Sequence, residues 1–240
     1  MRKELYILVT AILMTACCDV GRGLGFNRNN GKANWMNGIV RFSADMKSDG
    51  PDNDNPAFDA YVRYQDGHTI HMPIDVYGLG YGASCPMGSS GLYKPEYGFE
   101  SAEILSKTDD RIVIHLHHKP WTVVGSRVSF DKQITLFRES PIMSVIDYYT
   151  GQFELLNVAA GMTTAMVATV EPIENGFVIN YPYGITGIIV MPGLEQKFHD
   201  EILHNVILKK SVTRDEPLRY YVGLSDKGKD FLLDEIDKIL

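Results

Sequence analysis

Two pairs of residues in this sequence have the types and the spacing that proton transfer requires. His71 and Asp75 lie four positions apart in the segment HMPID. His115 and His117 lie two positions apart in IHLHH. In an extended strand, residues two or four positions apart point to one face, which places the second pair about 6–7 Å apart. Because histidine exchanges protons near neutral pH, we predict catalytic roles for His71 and His117, with Asp75 orienting His71.

Each pair also has a purely structural interpretation. His71 could be a histidine whose polar atoms are satisfied within a strand, and His115 and His117 could belong to the solvated face of a sheet. The same two histidines could bind a metal ion with a third ligand, but the sequence shows no complete ligand set. We therefore predict neither a metal site nor a cofactor.

A segment rich in glycine and tyrosine, residues 75–99, follows the first pair (DVYGLGYGASCPMGSSGLYKPEYGF). A dinucleotide fingerprint would need Gly-x-Gly-x-x-Gly at the start of a helix. The glycines here have the spacing Gly-x-Gly-x-Gly, and Pro86 and Pro95 would interrupt a helix. The nucleophile-elbow pattern Gly-x-Ser-x-Gly is also missing. A long loop is the remaining interpretation, and we expect Tyr77 and Tyr81 to line a pocket there.

Further aromatic and basic residues complete the predicted site. Trp121 offers an aromatic face with a polar edge, which suits the apolar side of a sugar ring. Arg127 is one of several arginines that could hold a carboxylate by a bidentate contact. The predicted ligand contacts are Tyr77, Tyr81, His115, Trp121 and Arg127. For each aromatic residue, packing in the core or between strands is the alternative.

The first residues have the plan of a bacterial export signal. Arg2 and Lys3 precede the apolar stretch LYILVTAILMTA, which is shorter than the roughly 20 residues of a membrane-spanning helix. The following MTAC resembles a lipobox, in which the cysteine becomes the lipid-bearing first residue, although Met14 stands where leucine is usual. We expect residues 1–16 to be a signal peptide and Cys17 to carry a lipid anchor to the outer or inner membrane. The location is then periplasmic or at the cell surface, and plain secretion is the alternative.

Size and charge fit one sizeable domain. The chain has 240 residues, 45% of them hydrophobic and 22% charged, with a formal net charge of −7 at pH 7. No basic stripe could neutralise phosphates, which argues against a nucleic-acid partner. Residues 17–35 are rich in glycine and asparagine and are typical of a tether. Residues 36–240 are then expected to form a single domain.

Strand patterns dominate that domain. In residues 110–118 (DRIVIHLHH), apolar side chains alternate with His115 and His117. Similar segments recur about every ten residues between turn residues, which indicates an antiparallel sandwich or barrel rather than alternating strands and helices. One helix is predicted within residues 225–240 (SDKGKDFLLDEIDKIL), where leucines and isoleucines have helical spacing. The predicted fold is a mostly β, antiparallel β-sandwich with a C-terminal helix.

Residues 99–165 resemble a known family. Their order is a serine/glutamate strand, an alternating strand that ends near a tryptophan, and then ITL, SPIMSV and VAAGM. Together with residues 71–84 (HMPIDVYGLGYGAS) and 216–231 (EPLRYYVGLSDKGKDF), they are similar to the domain-of-unknown-function family 4861 of Bacteroidetes. The resemblance covers roughly residues 36–240. Family members are longer at the N-terminus, so this chain resembles a shortened member.

The resemblance implies a secreted or lipid-anchored protein found among polysaccharide-degrading systems, without an established activity. The family's strand pattern looks like the β-supersandwich of galactose-mutarotase-like and polysaccharide-lyase proteins, although a fold does not by itself confer a function. Our leading hypothesis is a carbohydrate-active enzyme that acts on oligosaccharides, uronate-containing plant or algal glycans, by His-assisted proton transfer. The alternative is a non-catalytic glycan-binding module of a polysaccharide-degradation system.

Overall fold

The computed structural model describes residues 79–95, 99–164 and 166–240, and before them the backbone of five strands. These five strands form one antiparallel sheet in chain order: β1 (Gly23–Asn27), β2 (Lys32–Met36), β3 (Val40–Asp45), β4 (Asp59–Arg63) and β5 (Thr69–Met72). The hairpin of β1 and β2 lies largely within the segment that the sequence predicts as a tether. The boundaries predicted for the signal peptide, the tether and the domain stay predictions.

The remaining strands follow in chain order. They are β6 (Tyr81–Gly88), β7 (Gly91–Leu92), β8 (Phe99–Lys107), β9 (Arg111–His118), β10 (Trp121–Val123), β11 (Ser126–Phe137), β12 (Ile142–Gly151), β13 (Leu156–Thr163), β14 (Thr169–Ile173), β15 (Gly176–Asn180), β16 (Thr186–Val190), β17 (Gln196–Asp200), β18 (Asn205–Val212) and β19 (Leu218–Ser225). A 3-10 turn occupies Pro182–Gly184, and the chain ends with helix α1 (Lys229–Asp237).

These strands form two sheets that pack face to face. The large sheet has the order β14-β15-β16-β19-β12-β11-β9-β8, and β10 pairs with β11. The small sheet has the order β17-β18-β13-β6-β7. All pairings are antiparallel within the described residues. The prediction of a mostly β, antiparallel sandwich is confirmed.

The core lies between the two sheets and follows the alternation of the sequence. Along β9, residues 112, 114 and 116 are buried, whereas 113, 115 and 117 are only half-buried. Strand β11 alternates in the same way from Arg127 to Phe137. Apolar side chains of the small sheet, among them Val158 and Leu208, join the same buried cluster. Because a fully buried aliphatic side chain stabilises by about 1.5–3 kcal/mol, this cluster supplies most of the driving force for folding.

Helix α1 confirms the predicted C-terminal helix, although it is shorter than the segment 225–240. Leu232 and Ile236 are buried against Ile142 and Ile188, so the helix covers part of the outer face of the large sheet. The outer face is defined here as the side that points away from the small sheet. Among the described residues, no helix is long and apolar enough to span a membrane.

The glycine-rich segment differs from the predicted long loop, because much of it is the buried strand β6. Gly82 has φ +90°, and a Cβ at this position would lie 2.6 Å from Val222 Cγ2 of β19. Glycine is therefore required here for a close approach between the sheets. Glycine, which suggests a turn when only the sequence is considered, is used here so that one strand can pack closely against another.

Candidate functional site

A row of alternating carboxylates and imidazoles crosses the outer face of the large sheet. His115 lies between Glu103 and Asp131, with 3.1 Å from Nδ1 to Glu103 Oε1 and 3.1 Å from Nε2 to Asp131 Oδ1. His117 lies between Asp131 and Glu100, with 2.7 Å from Nδ1 to the same Asp131 Oδ1 and 3.9 Å from Nε2 to Glu100 Oε2. These five residues, on β8, β9 and β11, are called the carboxylate–imidazole row below.

Strand register explains why the row forms. Asp131 is the cross-strand partner of His117, and Glu103 is the cross-strand partner of His115. Directly opposite residues have Cβ atoms about 4.5–5.5 Å apart, which lets their side chains meet. The side chains of His117 and Asp131 are 38% and 32% exposed, so a ligand in solvent can reach this pair.

An exposed aromatic ring stands beside the row. Tyr148 of β12 is the cross-strand partner of Asp131 on the other side of β11, and 41% of it is exposed. Among the large hydrophobic side chains that are exposed in the described part of the chain, Tyr148 is the one aromatic residue. Ser129 and Thr150, whose hydroxyls are 2.8 Å apart, form the next cross-strand pair on this face. The arrangement combines an aromatic platform with hydroxyl and carboxylate groups on a rigid sheet.

Arg127 lies on the same outer face, four residues before Asp131 along β11. This spacing corresponds to about 13 Å in a strand, so the two side chains belong to opposite ends of the face. The Arg127 guanidinium donates a hydrogen bond of 3.0 Å to the carbonyl oxygen of Pro120. The structure therefore places the predicted residues His115, His117 and Arg127 on one accessible surface.

Two other predicted ligand contacts are in the core, which corrects the sequence interpretation. Tyr81 is 0% exposed on β6, and Trp121 is 3% exposed on β10. The indole of Trp121 packs edge-on against Phe130 and donates its N–H to the carbonyl oxygen of Tyr93. Burial raises the pKa of Tyr81 well above 10. Neither side chain is available to a ligand, because both fill space between the sheets.

The inner face of the large sheet holds a second polar cluster, which is completely buried. Lys132 Nζ lies 2.7 Å and 2.9 Å from the two carboxylate oxygens of Asp147, and it donates to the Tyr220 hydroxyl at 2.8 Å. Ser84 of β6 donates to Asp147, and the Tyr220 hydroxyl donates to the Gly82 carbonyl oxygen. Burial lowers the pKa of Lys132, and the adjacent Asp147 opposes that shift. This cluster joins the two sheets and is closed to solvent.

The remaining predicted positions lie largely outside the described residues. Asp75, Tyr77 and Cys17 fall in segments that the structure does not describe. For His71 the structure gives only the backbone, in β5, where it is the cross-strand partner of Tyr61. The predicted pairing of His71 with Asp75 therefore stays a prediction.

Several residues of the outer face were not singled out by the sequence. Glu100 and Glu103 of β8 lie far from Asp131 in the chain, and Tyr148 is adjacent to the buried Tyr149. The sequence feature that could have indicated this face is the alternation along β11. Polar residues recur on one side of that strand, namely Arg127, Ser129, Asp131 and Gln133. Their union into one row depends on the strand order, which the sequence does not state. In the described part of the chain, no three His, Cys, Asp or Glu side chains are placed to hold one metal ion.

Comparison with known proteins shows a fold and not a family. No family model matches the chain, and no curated protein gives a significant match. The chain is similar to an active YidC insertase solved with its first transmembrane domain, with a TM-score of 0.52, 12% identity, and coverage of 99% of this chain and 49% of that one. It is also similar to the heparan sulfate lyase HepC from Pedobacter heparinus, with a TM-score of 0.51, 10% identity, and coverage of 83% and 36%.

This chain thus spans about half of the insertase and about a third of the lyase. At such low identities the similarity establishes the shared β-rich fold alone. The names of these two proteins describe different functions. The function of this chain therefore has to be argued from its own side chains. The resemblance to the domain-of-unknown-function family stays a prediction.

Proposed function

We propose that this chain is a carbohydrate-binding domain whose outer face, with Tyr148 and the carboxylate–imidazole row, contacts an oligosaccharide. The observation that carries the proposal is the exposed Tyr148 ring directly across the strand from Asp131. A sugar ring offers an apolar side that stacks on an aromatic face, and hydroxyls that hydrogen-bond to carboxylates and imidazoles. The outer face supplies both kinds of group on neighbouring strands. The shared fold with a heparan sulfate lyase is consistent with this role.

Catalysis is the second candidate, and the pairing of His117 with Asp131 favours it. The 2.7 Å contact between His117 Nδ1 and Asp131 Oδ1 resembles the orientation of a general base by a carboxylate. In this version, His117 moves a proton on a bound, uronate-containing glycan, with His71 and Asp75 as the further acid–base pair. The open outer face favours binding as the primary role, since enzymes usually enclose the reacting bond in a concave site.

Isothermal titration calorimetry with a panel of neutral, uronate-containing and amine-bearing oligosaccharides tests the binding role. We expect at least one class to bind the full chain and Tyr148→Ala to weaken that binding about tenfold or more, because an aromatic contact of about 1.4 kcal/mol or more is lost. Ile202→Ala is the matched control, since Ile202 is 88% exposed in the β17–β18 hairpin on the small sheet. Equal affinity for wild type and Tyr148→Ala would contradict the proposed surface.

Product analysis separates the binder from the enzyme. Every oligosaccharide that binds is incubated with the protein, and the mixture is analysed by mass spectrometry for cleaved, epimerised or eliminated products. Binding without product supports the binding domain. If product forms, and His117→Gln abolishes turnover while affinity is retained, the catalytic version replaces it.

We further propose that the protein is exported and anchored through lipidated Cys17, and that it belongs to the family it resembles. The support is the basic and apolar N-terminus followed by MTAC. Metabolic labelling with an alkyne fatty acid in a bacterial host should mark the wild type and not Cys17→Ser. The neighbouring Cys18→Ser should keep the label, and labelling of Cys17→Ser would refute the anchor.

A further inference from the structure

The charge of the carboxylate–imidazole row selects among the sugars that the proposed function leaves open. We propose that the ligand of this face carries a protonated amine, as an amino sugar does, and not a carboxylate. The inference rests on the proposed function, because it uses the same surface and names the chemical class that this surface takes.

The carboxylate–imidazole row is negative in every protonation state of its imidazoles. It contains three carboxylates, on Glu100, Glu103 and Asp131, against two imidazoles. Even two doubly protonated rings leave an excess of negative charge. Glu100 and Glu103 are also well exposed, with 52% and 64% of their side chains in solvent. A uronate placed here would meet like charges, which disfavours it, whereas an ammonium would be attracted.

The hydrogen-bonding pattern of the row also favours a cationic ligand. A neutral imidazole has one N–H and one lone pair. His115 has a carboxylate oxygen 3.1 Å from each of its two ring nitrogens. In the neutral ring, one of these oxygens faces a lone pair, which is repulsive. One more donor is needed, and it comes either from a second proton on the ring or from a cationic ligand. An ammonium group that inserts beside Glu103 or Asp131 supplies the missing donors, since it carries up to three N–H bonds.

The described cations on this side of the sheet lie outside the row. Arg111 is four residues before His115 on β9, and Arg219 of β19 is the cross-strand partner of Ile146, two residues from Tyr148. Lys119 is exposed two residues past His117, after the end of β9. Arg127 is four residues from Asp131 and is turned toward the Pro120 carbonyl oxygen. A carboxylate-bearing sugar would have to lie toward Arg127 or Arg219, away from Glu103. A sugar that stacks on Tyr148 and extends over the row instead has Asp131 directly across the strand.

Calorimetry at neutral pH and low ionic strength compares three tetrasaccharides: β-1,4-linked glucosamine, its N-acetylated counterpart, and tetragalacturonate. We expect the amine-bearing oligomer to bind about tenfold tighter than the acetylated one, and tetragalacturonate to bind most weakly. The double variant Glu103→Gln/Asp131→Asn should abolish the preference for the amine. Because these side chains are at the surface, both substitutions are expected to leave the fold intact, which circular dichroism verifies.

The outcomes separate this inference from the proposed function. If the acetylated or the uronate oligomer binds as tightly as the amine, or if the double variant keeps the preference, the inference is wrong. If such binding still depends on Tyr148, the carbohydrate-binding surface stands without its amine selectivity. If none of these oligomers or the wider panel binds, both the inference and the proposed function are wrong.

Discussion

The two faces of the large sheet carry similar side chains in opposite environments. Asp131 and Lys132 are adjacent in β11, yet Asp131 takes part in an exposed row and Lys132 in a sealed cluster. His117 and His118 are adjacent in β9, and the first is accessible whereas the second is stacked on Phe130 at 4.1 Å in the core. Alternation along a strand thus divides the polar residues into a buried set and a solvent-accessible set. Polar groups of the inner face hold the sandwich together, and those of the outer face are available to a ligand.

The largest expected effect is the loss of one partner of the inner ion pair. Lys132→Met leaves Asp147 buried without its cation, and we expect a loss of about 3–5 kcal/mol in the free energy of unfolding. The double variant Lys132→Met/Asp147→Leu removes both charges and should be less destabilised than Lys132→Met alone. Urea unfolding of the four proteins of this cycle measures the coupling. A double variant at least as unstable as the single one would contradict the view that an unpaired charge dominates the loss.

The close approach of the sheets at Gly82 comes next. Gly82→Ala combines an unfavourable φ of +90° with a Cβ at 2.6 Å from Val222, and we expect a loss of about 3 kcal/mol. Gly184→Ala is the matched control, since its φ is +76° but nothing lies within 4 Å of its added Cβ. Thermal unfolding should show a distinctly smaller loss for the control. Equal losses would mean that backbone strain alone, without the sheet contact, explains the need for glycine.

The inner histidine predicts a pH dependence. Burial lowers the pKa of His118 from 6.5 to about 3, with Lys132 adding to the shift, so the folded protein keeps this ring neutral. Below pH 6.5 the unfolded chain binds a proton at this histidine, and the folded protein does not. The free energy of unfolding therefore decreases through this group as the pH falls from about 6.5 to about 3. His118→Phe should therefore flatten the decline in stability over that range, measured by urea unfolding at a series of pH values.

A control for this dependence is Phe130→Leu, which removes the ring that stacks on His118 and keeps the titrating imidazole. This variant should be less stable at neutral pH and still show the acid decline. If His118→Phe declines as steeply as the wild type, the acid sensitivity arises elsewhere in the chain.

The smallest expected effect on stability is on the outer face. Asp131→Asn weakens contacts between partly exposed groups, which contribute only about 0–1 kcal/mol. We expect little change in thermal unfolding but a clear loss of oligosaccharide affinity in calorimetry. A loss of stability comparable to that of Lys132→Met would show that the row is structural, and the distinction between the two faces would fail.

The sequence predicted the parts of the fold that depend on local pattern. The alternation of Ile112, Ile114 and Leu116 with His115 and His117 fixed the two faces of β9 correctly. It failed where long-range contacts decide the structure. Gly82 and Tyr81 resemble a loop in sequence, but the small size of glycine serves the packing of β6 against β19. Lys132 interrupts the apolar alternation of β11, and its burial becomes possible only through Asp147, fifteen residues away.

The candidate site was predicted in part for the same reason. His115, His117 and Arg127 were found because their types and spacing are local properties. Asp131 and Tyr148 join them only through the register of β9, β11 and β12, which a single sequence does not specify. Trp121 and Tyr81 were chosen for their chemistry, and the structure uses their large apolar surface to fill the core.

Heteronuclear NMR on the isotope-labelled protein tests the central claim most directly. As a binding oligosaccharide is added, the signals of His115, His117 and Tyr148 should shift together and saturate with one affinity, while those of the buried Tyr81 and His118 stay in place. Shifts confined to the small sheet or to the hairpin around Ile202, with the outer face unchanged, would contradict the assignment of this face as the ligand-binding surface.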